Sequence, residues 1–546
     1  MTGPTRPATE PVVVLGAGPV GQTAALLLAR WGVPVIMVDQ RPARELIGSK
    51  SICQQRDVLD IWEAVGAGRR IADEGVTWDR ARTYYRDREL FCQTFVDRGR
   101  SAFPPFVNIS QSRTEQILDE RIAANDLIDV RWSHEVTEVV QDADGVTLRC
   151  RTPDGPKELR APYVVACAGA RGDAIREQLG LSFDGRSFDD LFLICDIRAD
   201  LGDWARERRF YFDPEWNPGR QVLIHPCPDS TYRIDWQVPA DFDLEAERDS
   251  GALDRRIRQI IGQHTPYEVV WSSVYRFHAR RVDRMRVGRV LVAGDLAHLV
   301  APFGARGLNS GVPDVENAAW KIAFVLRGWA PERILDSYHD ERAAAADENL
   351  EVTSATMDFL VPQTEEARQR RRDVLERALT DPAARAEVNS GRLAEPFWYV
   401  DSPLTTPHPS RVLPGRPPAG HPPPVVPGVL VPDVPVKLAD RPEVTRLREI
   451  VRDGLLVLTT GDVGLAHAAV SAVTTAPVRA LAIPDVDPSG LLAEAFEAGP
   501  RDAFLVRPDG HLAAVVDSRD GGALAAAARR ALGMADAAAA GGASDR

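Results

Sequence analysis

The chain has 546 residues, 44% of them hydrophobic and 27% charged, a balance that allows two to four globular domains with sizeable cores. Its 79 acidic residues outnumber 66 basic ones, giving a formal charge of −13 and a pI of about 5.4, which argues against a nucleic-acid-binding surface. No apolar run reaches the length of a membrane span and the leader Met1 to Glu10 is polar, so a cytoplasmic protein with no membrane partner is expected.

The first element is a strand-like run, Val12-Val13-Val14-Leu15, which passes through Gly16-Ala17-Gly18-Pro19-Val20-Gly21 into an apolar, helix-like stretch from Thr23 to Ala29. This is GxGxxG between a strand and a helix, the setting in which free helix amides hold a pyrophosphate. A second strand, Val35 to Val38, ends in Asp39, where a carboxylate accepts hydrogen bonds from a ribose. Some glycine patterns of this kind are ordinary tight turns; Asp39 at the right interval weighs against that reading. Arg41 is placed to face the pyrophosphate, although an arginine after a strand is more often simply solvated.

From about residue 182 to 280 the texture changes to short runs rich in β-branched and aromatic residues: Leu191 to Ile194, Arg209 to Phe212, Gln221 to Ile224 and Tyr232 to Trp236. Turn signals at Asp213-Pro214 and Asn217-Pro218-Gly219 separate them, and together they predict an antiparallel sheet. The six cysteines (Cys53, Cys92, Cys150, Cys167, Cys195 and Cys227) and the histidines are scattered without metal-like spacing. Packed, reduced thiols and no metal site are expected. The basic run Arg280-Arg281-Val282-Asp283-Arg284 reads as a solvated face, with phosphate steering as the lesser alternative.

A second glycine segment begins at Gly294-Asp295 and continues through Pro302-Phe303-Gly304-Ala305-Arg306-Gly307-Leu308-Asn309-Ser310-Gly311. It follows a strand-like run, Arg289 to Ala293, and leads into a helix-like one, Asp314 to Lys321. An aspartate closing a strand can bond a sugar hydroxyl, and glycines before a helix let its amides approach an electron-rich ligand edge. Helical stretches continue to about 380. Residues 403 to 435 then carry about a dozen prolines, which predicts an extended linker or wrapping segment. Beyond it, Leu455 to Leu458, Val478 to Ile483 and Ala503 to Val506 alternate with alanine-rich stretches and predict a small α/β domain, followed by a disordered tail.

Over about residues 10 to 400 the chain resembles the group A flavoprotein monooxygenases, the single-component FAD-dependent aromatic hydroxylases. Within them it looks closest to the branch of 3-(3-hydroxyphenyl)propionate hydroxylase and phenol hydroxylase-like enzymes. Three blocks carry the resemblance: Gly16 to Gly21, Tyr163-Val164-Val165-Ala166-Cys167-Ala168-Gly169-Ala170-Arg171, and Gly294 to Asn309. The fold it implies is α/β, with a Rossmann-like FAD-binding domain of the glutathione reductase type (10–180 and 281–400) and an antiparallel β-sheet substrate domain (181–280). A Pro-rich linker (401–428), a thioredoxin-like carboxyl-terminal domain (429–535) and a disordered tail (536–546) complete it. Phe504 to His511 is the most specific string of the thioredoxin-like region. No cysteine follows Cys227, so thiol exchange is unavailable there and a stabilising or oligomer-forming role remains.

The resemblance assigns FAD to Gly16, Gly18, Pro19, Val20, Gly21, Asp39, Gln40, Arg41, Lys50, Gln111, Asp295, Pro302, Gly304, Gly307, Leu308 and Asn309. Pro302 would border the oxygen-reactive face. Tyr211, His225, Arg233, Asp235 and Gln237 on the predicted sheet are candidates to touch substrate, and Pro302, His225, Tyr211 and Asp235 are the catalytic candidates. His298 matches a family histidine and reads as shaping the flavin turn. The chain departs from the family at Ala168, where an aspartate is usual, at Gly172, where serine is common, at Lys50, commonly arginine, and at Ala305, commonly glycine. Ala305 is tolerable if its φ is negative.

The activity implied is hydroxylation of a phenolic or other electron-rich aromatic substrate with O2 and NADPH or NADH, through a C4a-hydroperoxyflavin. A homodimer is compatible with this. Epoxidation or Baeyer–Villiger insertion on the same scaffold, a dehydrogenase without oxygen insertion, and a non-catalytic flavin-binding module are the alternatives.

Overall fold

The computed structural model describes residues 10–45, 51–95, 101–418 and 421–534. Lys50, nearly all of the polar leader and the tail 536–546 lie outside the described residues.

Val12–Leu15 is buried along its whole length, as expected of a run of β-branched residues covered on both faces. It sits inside a six-stranded sheet in the order Arg286–Val287, Val290–Val292, Val164–Ala166, Val12–Leu15, Val35–Val38, Ile128–Arg131. All neighbours are parallel except the first pair. The chain leaves the central strand at Gly16 and enters the helix Pro19–Arg30, which starts with proline at its first position. That helix lies tight on the strand: a Cβ at Gly21 would fall 1.8 Å from the Gly16 carbonyl oxygen.

The second large sheet has eight strands, in the order His298–Leu299, Tyr267–Val282, Phe183–Ala199, Thr231–Val238, Gln221–Cys227, Glu207–Phe212, Arg80–Tyr85, Arg88–Thr94. It is antiparallel except where Glu207–Phe212 pairs in parallel with Arg80–Tyr85. The sheet therefore extends beyond 181–280: the hairpin Arg80–Thr94 and the bridge at His298–Leu299 come from segments expected to belong wholly to the nucleotide domain. One face packs on the helices around Leu253 and Ile257, through Leu193, Val222, Ile234 and Trp236. The opposite face, with Phe192, Phe210 and Leu223, packs toward Phe303 and Met357.

The helix Arg306–Leu326 starts well before the predicted Asp314, and Pro313 lies within it. It is followed by Asp336–Leu360. The Pro-rich stretch is a wrapping segment with buried Leu404, Val425 and Val426, preceded by buried Trp398 and Tyr399. Thr406 and Gly428 donate their amides to Ala513 and Leu512, so it is laced onto the carboxyl-terminal domain. That domain is a four-stranded mixed sheet in the order Val478–Ala482, Leu455–Thr459, Asp502–Val506, Leu512–Asp517. Buried charges join it to the rest: Arg507 binds Glu341, and Arg452 binds both Glu316 and Asp60.

Candidate active site

The carboxyl ends of the parallel strands and one face of the large sheet enclose a cavity of about 730 Å³. Its walls include Gly16, Asp39, Cys167 and Ala293, each the first residue after a strand of the parallel sheet. Ligands of open α/β sheets bind at this edge.

At the glycine-motif end, Gly18, Pro19, Val20 and Gly21 line the cavity at the start of Pro19–Arg30. Gly18 precedes the helix with no side-chain cap, and a Cβ built on it meets nothing within 4 Å. The first-turn amides therefore open onto the cavity, with room for a negative group. Asp39 accepts the Ala17 amide at 2.9 Å and the Arg41 amide and guanidinium at 2.9 Å. Burial opposes its ionisation, but the hydrogen bonds from Arg41 and Ala17 hold the carboxyl below its ordinary range. Gln40 and Arg41 lie beside it on the wall, as does Gln111, whose amide donates to Glu115 at 2.8 Å.

The second glycine segment forms the opposite lip. Asp295, Pro302, Gly304, Gly307 and Leu308 all line the cavity, at and just before the start of Arg306–Leu326. Gly304 has φ +93°, and a Cβ there would fall 2.1 Å from the Arg392 carbonyl oxygen. Ala305 is left-handed, φ +56° and ψ 42°, contrary to the negative φ that would make its methyl harmless. This residue carries strain of about 1–2 kcal/mol, held by its neighbours. Asn309 does not line this cavity. Its side chain accepts the Gln55 amide at 2.9 Å and donates to Cys53 and Ala305 carbonyls, bracing the turn from behind.

The turn at Gly294 is fixed by a buried aspartate that sequence reasoning passed over. Asp314 accepts the Gly294 amide at 3.0 Å, bonds His298 Nε2 at 2.7 Å and accepts Arg342 Nε at 2.7 Å. Burial works against its charge, while His298, Arg342 and the amide pull its pKa down to about 2. His298 is engaged in this network and holds the turn. Its residue type and position between two glycine segments were the available signal for Asp314.

The large sheet supplies a polar wall. Along paired strands it presents Arg208, His225, Arg233 and Asp235, with Phe192, Ile194, Leu223, Tyr275 and Phe277 around them. Register brings them together: His225 pairs with Arg233, and Leu223 with Asp235. Arg233 makes a two-pronged ion pair with Asp196 at 2.8 and 2.9 Å. Asp235 Oδ1 is buried without a hydrogen-bond partner, and burial, only partly offset by Arg233, pushes its pKa up to about 7. His225 Nδ1 is likewise without a partner, and burial beside Arg208 and Arg233 holds the ring neutral.

Two of the substrate candidates are placed elsewhere. Tyr211 is one residue out of phase with Arg208 and Phe210, so the strand pleat turns it to the far face. There it stacks on Tyr84, ring centroids 4.6 Å apart, and packs with Trp216. Gln237 is buried but outside the cavity, its amide bonded to Asp190 and the Gln221 amide. Arg208 is the residue the sequence reading missed; alternation along Arg208 to Phe212 was the signal, since it shares parity with the buried Phe210 and Phe212. Ala168 and Arg171 line the cavity near the Cys167 strand end. Cys53 and Cys227 are buried, and burial pushes each thiol up to about 12, so neither is a nucleophile at neutral pH.

Residues 9–353 match the family described as FAD binding domain, and residues 425–535 match the one described as aromatic-ring hydroxylase, C-terminal. The chain is 28% identical over 414 residues to a 3-(3-hydroxy-phenyl)propionate/3-hydroxycinnamic acid hydroxylase of Mycolicibacterium smegmatis, covering 76% of this chain and 71% of that one. Mycobacterial hydroxylases of the same description are matched over 56–59% of their own length. A 6-methylpretetramide 4-monooxygenase of Streptomyces rimosus is 29% identical over 92% of this chain and 90% of its own. The fold is shared with the crystal structure of the flavin-dependent monooxygenase PieE in complex with FAD and substrate, at a TM-score of 0.82 and 23% identity, over 96% of this chain and 99% of that one.

Proposed function

The chain belongs to the FAD binding domain family and carries an aromatic-ring hydroxylase C-terminal domain, and from that membership we propose a single-component FAD monooxygenase that hydroxylates a phenolic or other electron-rich aromatic compound, with NADH or NADPH as reductant. The observation that carries this reading is one continuous cavity that joins the glycine motif at Gly16 to Gly21 with the polar, aromatic-flanked sheet wall at His225 and Asp235.

The residues fit FAD. Open space at Gly18 before an uncapped helix suits a diphosphate, and Asp39, whose carboxylate has further lone pairs beyond those used by Ala17 and Arg41, suits a ribose. Asp295 and Gln111, which line the cavity, are assigned to the ribityl chain in this reading, and the amides at Gly307 and Leu308 to a flavin edge. When bound, FAD supplies the chemistry itself: it takes a hydride from the nicotinamide and activates O2 for transfer of one oxygen atom.

The chain's own residues then bind, orient and move a proton. A phenol against the sheet wall would give its proton to Asp235 Oδ2, the carboxylate oxygen that is not sealed off, leaving a ring richer in electrons for attack. With a pKa near 7 this carboxyl is about half ionised at neutrality, matched to that task. His225, held neutral, accepts or donates a hydrogen bond without adding charge, and the Arg233–Asp196 pair fixes the strand beneath them. Phe192, Leu223 and Phe277 add apolar surface between these polar groups, against which an aromatic ring would pack.

The four-stranded carboxyl-terminal sheet, a parallel pair at Leu455–Thr459 and Val478–Ala482 extended by antiparallel Asp502–Val506 and Leu512–Asp517, supports reading that domain as thioredoxin-like in a structural role. The activity is tested on FAD-loaded protein with a panel of phenols. At least one should speed NAD(P)H oxidation and yield a product heavier by one oxygen; oxidation matched by hydrogen peroxide with every phenol overturns the reading.

A further inference from the structure

Arg208 is 4% exposed and lines the cavity, yet no carboxylate among the described residues lies within ion-pair distance of it. Among the described residues its Nε has no hydrogen-bond partner, and its one bond is a long one, 3.4 Å from Nη2 to the Ser390 carbonyl. The other two guanidiniums buried in the cavity wall are better satisfied, although Arg306 also has no carboxylate within ion-pair distance among the described residues and an unpartnered Nε. Arg233 is neutralised by Asp196, and Arg306 donates to Asn349, Arg392 and Leu393. A buried guanidinium that lacks a counter-ion is unfavourable unless a ligand supplies one.

The groups facing Arg208 set what that ligand can be. Asp235 lies on the same wall, beyond 4 Å from it, and is the only carboxylate there not engaged by an arginine among the described cavity residues on the sheet. His225 is neutral and the Arg233–Asp196 pair cancels, so this end of the cavity is net positive whenever Asp235 carries its proton. Aromatic rings of Phe192, Tyr275 and Phe277 flank it.

Resting on the monooxygenase reading, we propose that Arg208 is the counter-ion of the substrate's ionised ring oxygen, and that it selects aromatic compounds bound as phenolates over their neutral ethers. An aromatic carboxylate shares the oxyanion chemistry. The phenolate is favoured because the adjacent Asp235 has an oxygen free to take the phenol's proton, whereas a carboxylate would bring a second fixed negative charge toward it. No electrons move in this step: the phenol O–H bond breaks, the proton passes to the accessible Asp235 Oδ2, and the oxygen pairs with Arg208. Burial lowers the Arg208 pKa only to about 10, so the guanidinium stays charged at neutral pH.

The test is equilibrium binding to the FAD-loaded protein, followed through flavin absorbance and the absorbance of the ligand. The probes are 4-nitrophenol, 4-nitro-1-naphthol, 4-nitroanisole and 4-nitrobenzoate, with wild type, Arg208→Gln and Arg208→Lys; FAD content and thermal unfolding establish that each variant is folded. Wild type should bind at least one nitrophenol as the phenolate, at a pH below that phenol's own pKa. Arg208→Gln should weaken this by about 10- to 150-fold, the value of a charged hydrogen bond, with Arg208→Lys between and 4-nitroanisole unaffected. Equal nitrophenol affinity in Arg208→Gln, or no nitrophenol bound by wild type, overturns the proposal. Arg208-dependent binding confined to 4-nitrobenzoate overturns the phenolate assignment. Binding needs no turnover, so Arg208-dependent phenolate binding without any oxygenated product would sink the monooxygenase reading alone.

Discussion

Arg507, in the carboxyl-terminal domain, grips both carboxylate oxygens of Glu341 on the helix Asp336–Leu360, and neither side chain is reached by solvent. Lys321 binds the same carboxylate at 2.7 Å, and Asn317 donates to it as well. Burial opposes the charge on Glu341, but Arg507 and Lys321 hold its pKa far below the carboxylate range. Lys321 and Asn317 belong to the helix Arg306–Leu326, whose first turn lines the cavity. The carboxyl-terminal domain is thus tied to the helix that shapes the second lip of the cavity.

Glu341→Gln keeps the shape and removes the charge, leaving Lys321 without an anion. It should destabilise the protein by about 3–5 kcal/mol in urea unfolding. Truncation after residue 428 should then lower FAD content along with solubility, because it strips Arg507 from Glu341 and Arg452 from Glu316 and Asp60. A soluble, fully FAD-loaded truncation would show that the domain is a mere accessory.

Two glycines of the first motif should behave differently. Gly18→Ala meets no atom in the protein and needs no unusual backbone, so it should fold normally. Its methyl intrudes on the space beside the helix start, and FAD affinity should fall by about tenfold or more, ~1.4 kcal/mol. Gly21→Ala drives a methyl into the Gly16 carbonyl and should reduce folded yield itself. FAD titration and circular dichroism of the two variants separate the effects; unchanged FAD affinity in Gly18→Ala would remove the pyrophosphate from this helix.

At the second lip, Ala305→Gly relieves a left-handed alanine and should stabilise the protein by about 1 kcal/mol or less. Gly304→Ala combines a forbidden φ with the contact at the Arg392 carbonyl and should lose flavin. Thermal unfolding read by flavin fluorescence checks both, and a destabilised Ala305→Gly would mean that the methyl has a packing role.

Asp235 sets a pH limb. Its pKa is raised to about 7, so the ionised, proton-accepting form grows as pH rises through that value. Turnover per bound phenol should climb from pH 6 to 8 with an apparent pKa near 7. Asp235→Asn should flatten the limb and lower turnover by about 10²–10⁴-fold while FAD stays bound. A limb that survives in Asp235→Asn assigns proton acceptance to another group.

The parallel sheet was legible because Val12–Leu15 and Val35–Val38 are contiguous β-branched runs, a pattern local in sequence. Tyr267–Val282 was not, because its exposed residues, among them Arg276 and Val270, break the pattern of a buried run. The hairpin Arg80–Thr94 joins the large sheet through a partner more than a hundred residues away, which no local signal encodes. Pro313 and the glycines before it disguised the true start of Arg306–Leu326. In the site, the glycine motifs could be read because backbone shape demands them. The polar wall depended on strand parity, which separates Arg208 from Tyr211 by direction alone. Buried pairs such as Arg507–Glu341 looked like ordinary charges until the fold brought them together.

Oxygen transfer to an aromatic ring is tested most directly by isotopic labelling. FAD-loaded protein is supplied with NAD(P)H, a phenol that stimulates NAD(P)H oxidation, and ¹⁸O2 in unlabelled water, and the product is weighed by mass spectrometry. One ¹⁸O atom in each hydroxylated product is the result predicted. Product oxygen drawn from water, or labelled hydrogen peroxide as the sole fate of the oxygen, would contradict it.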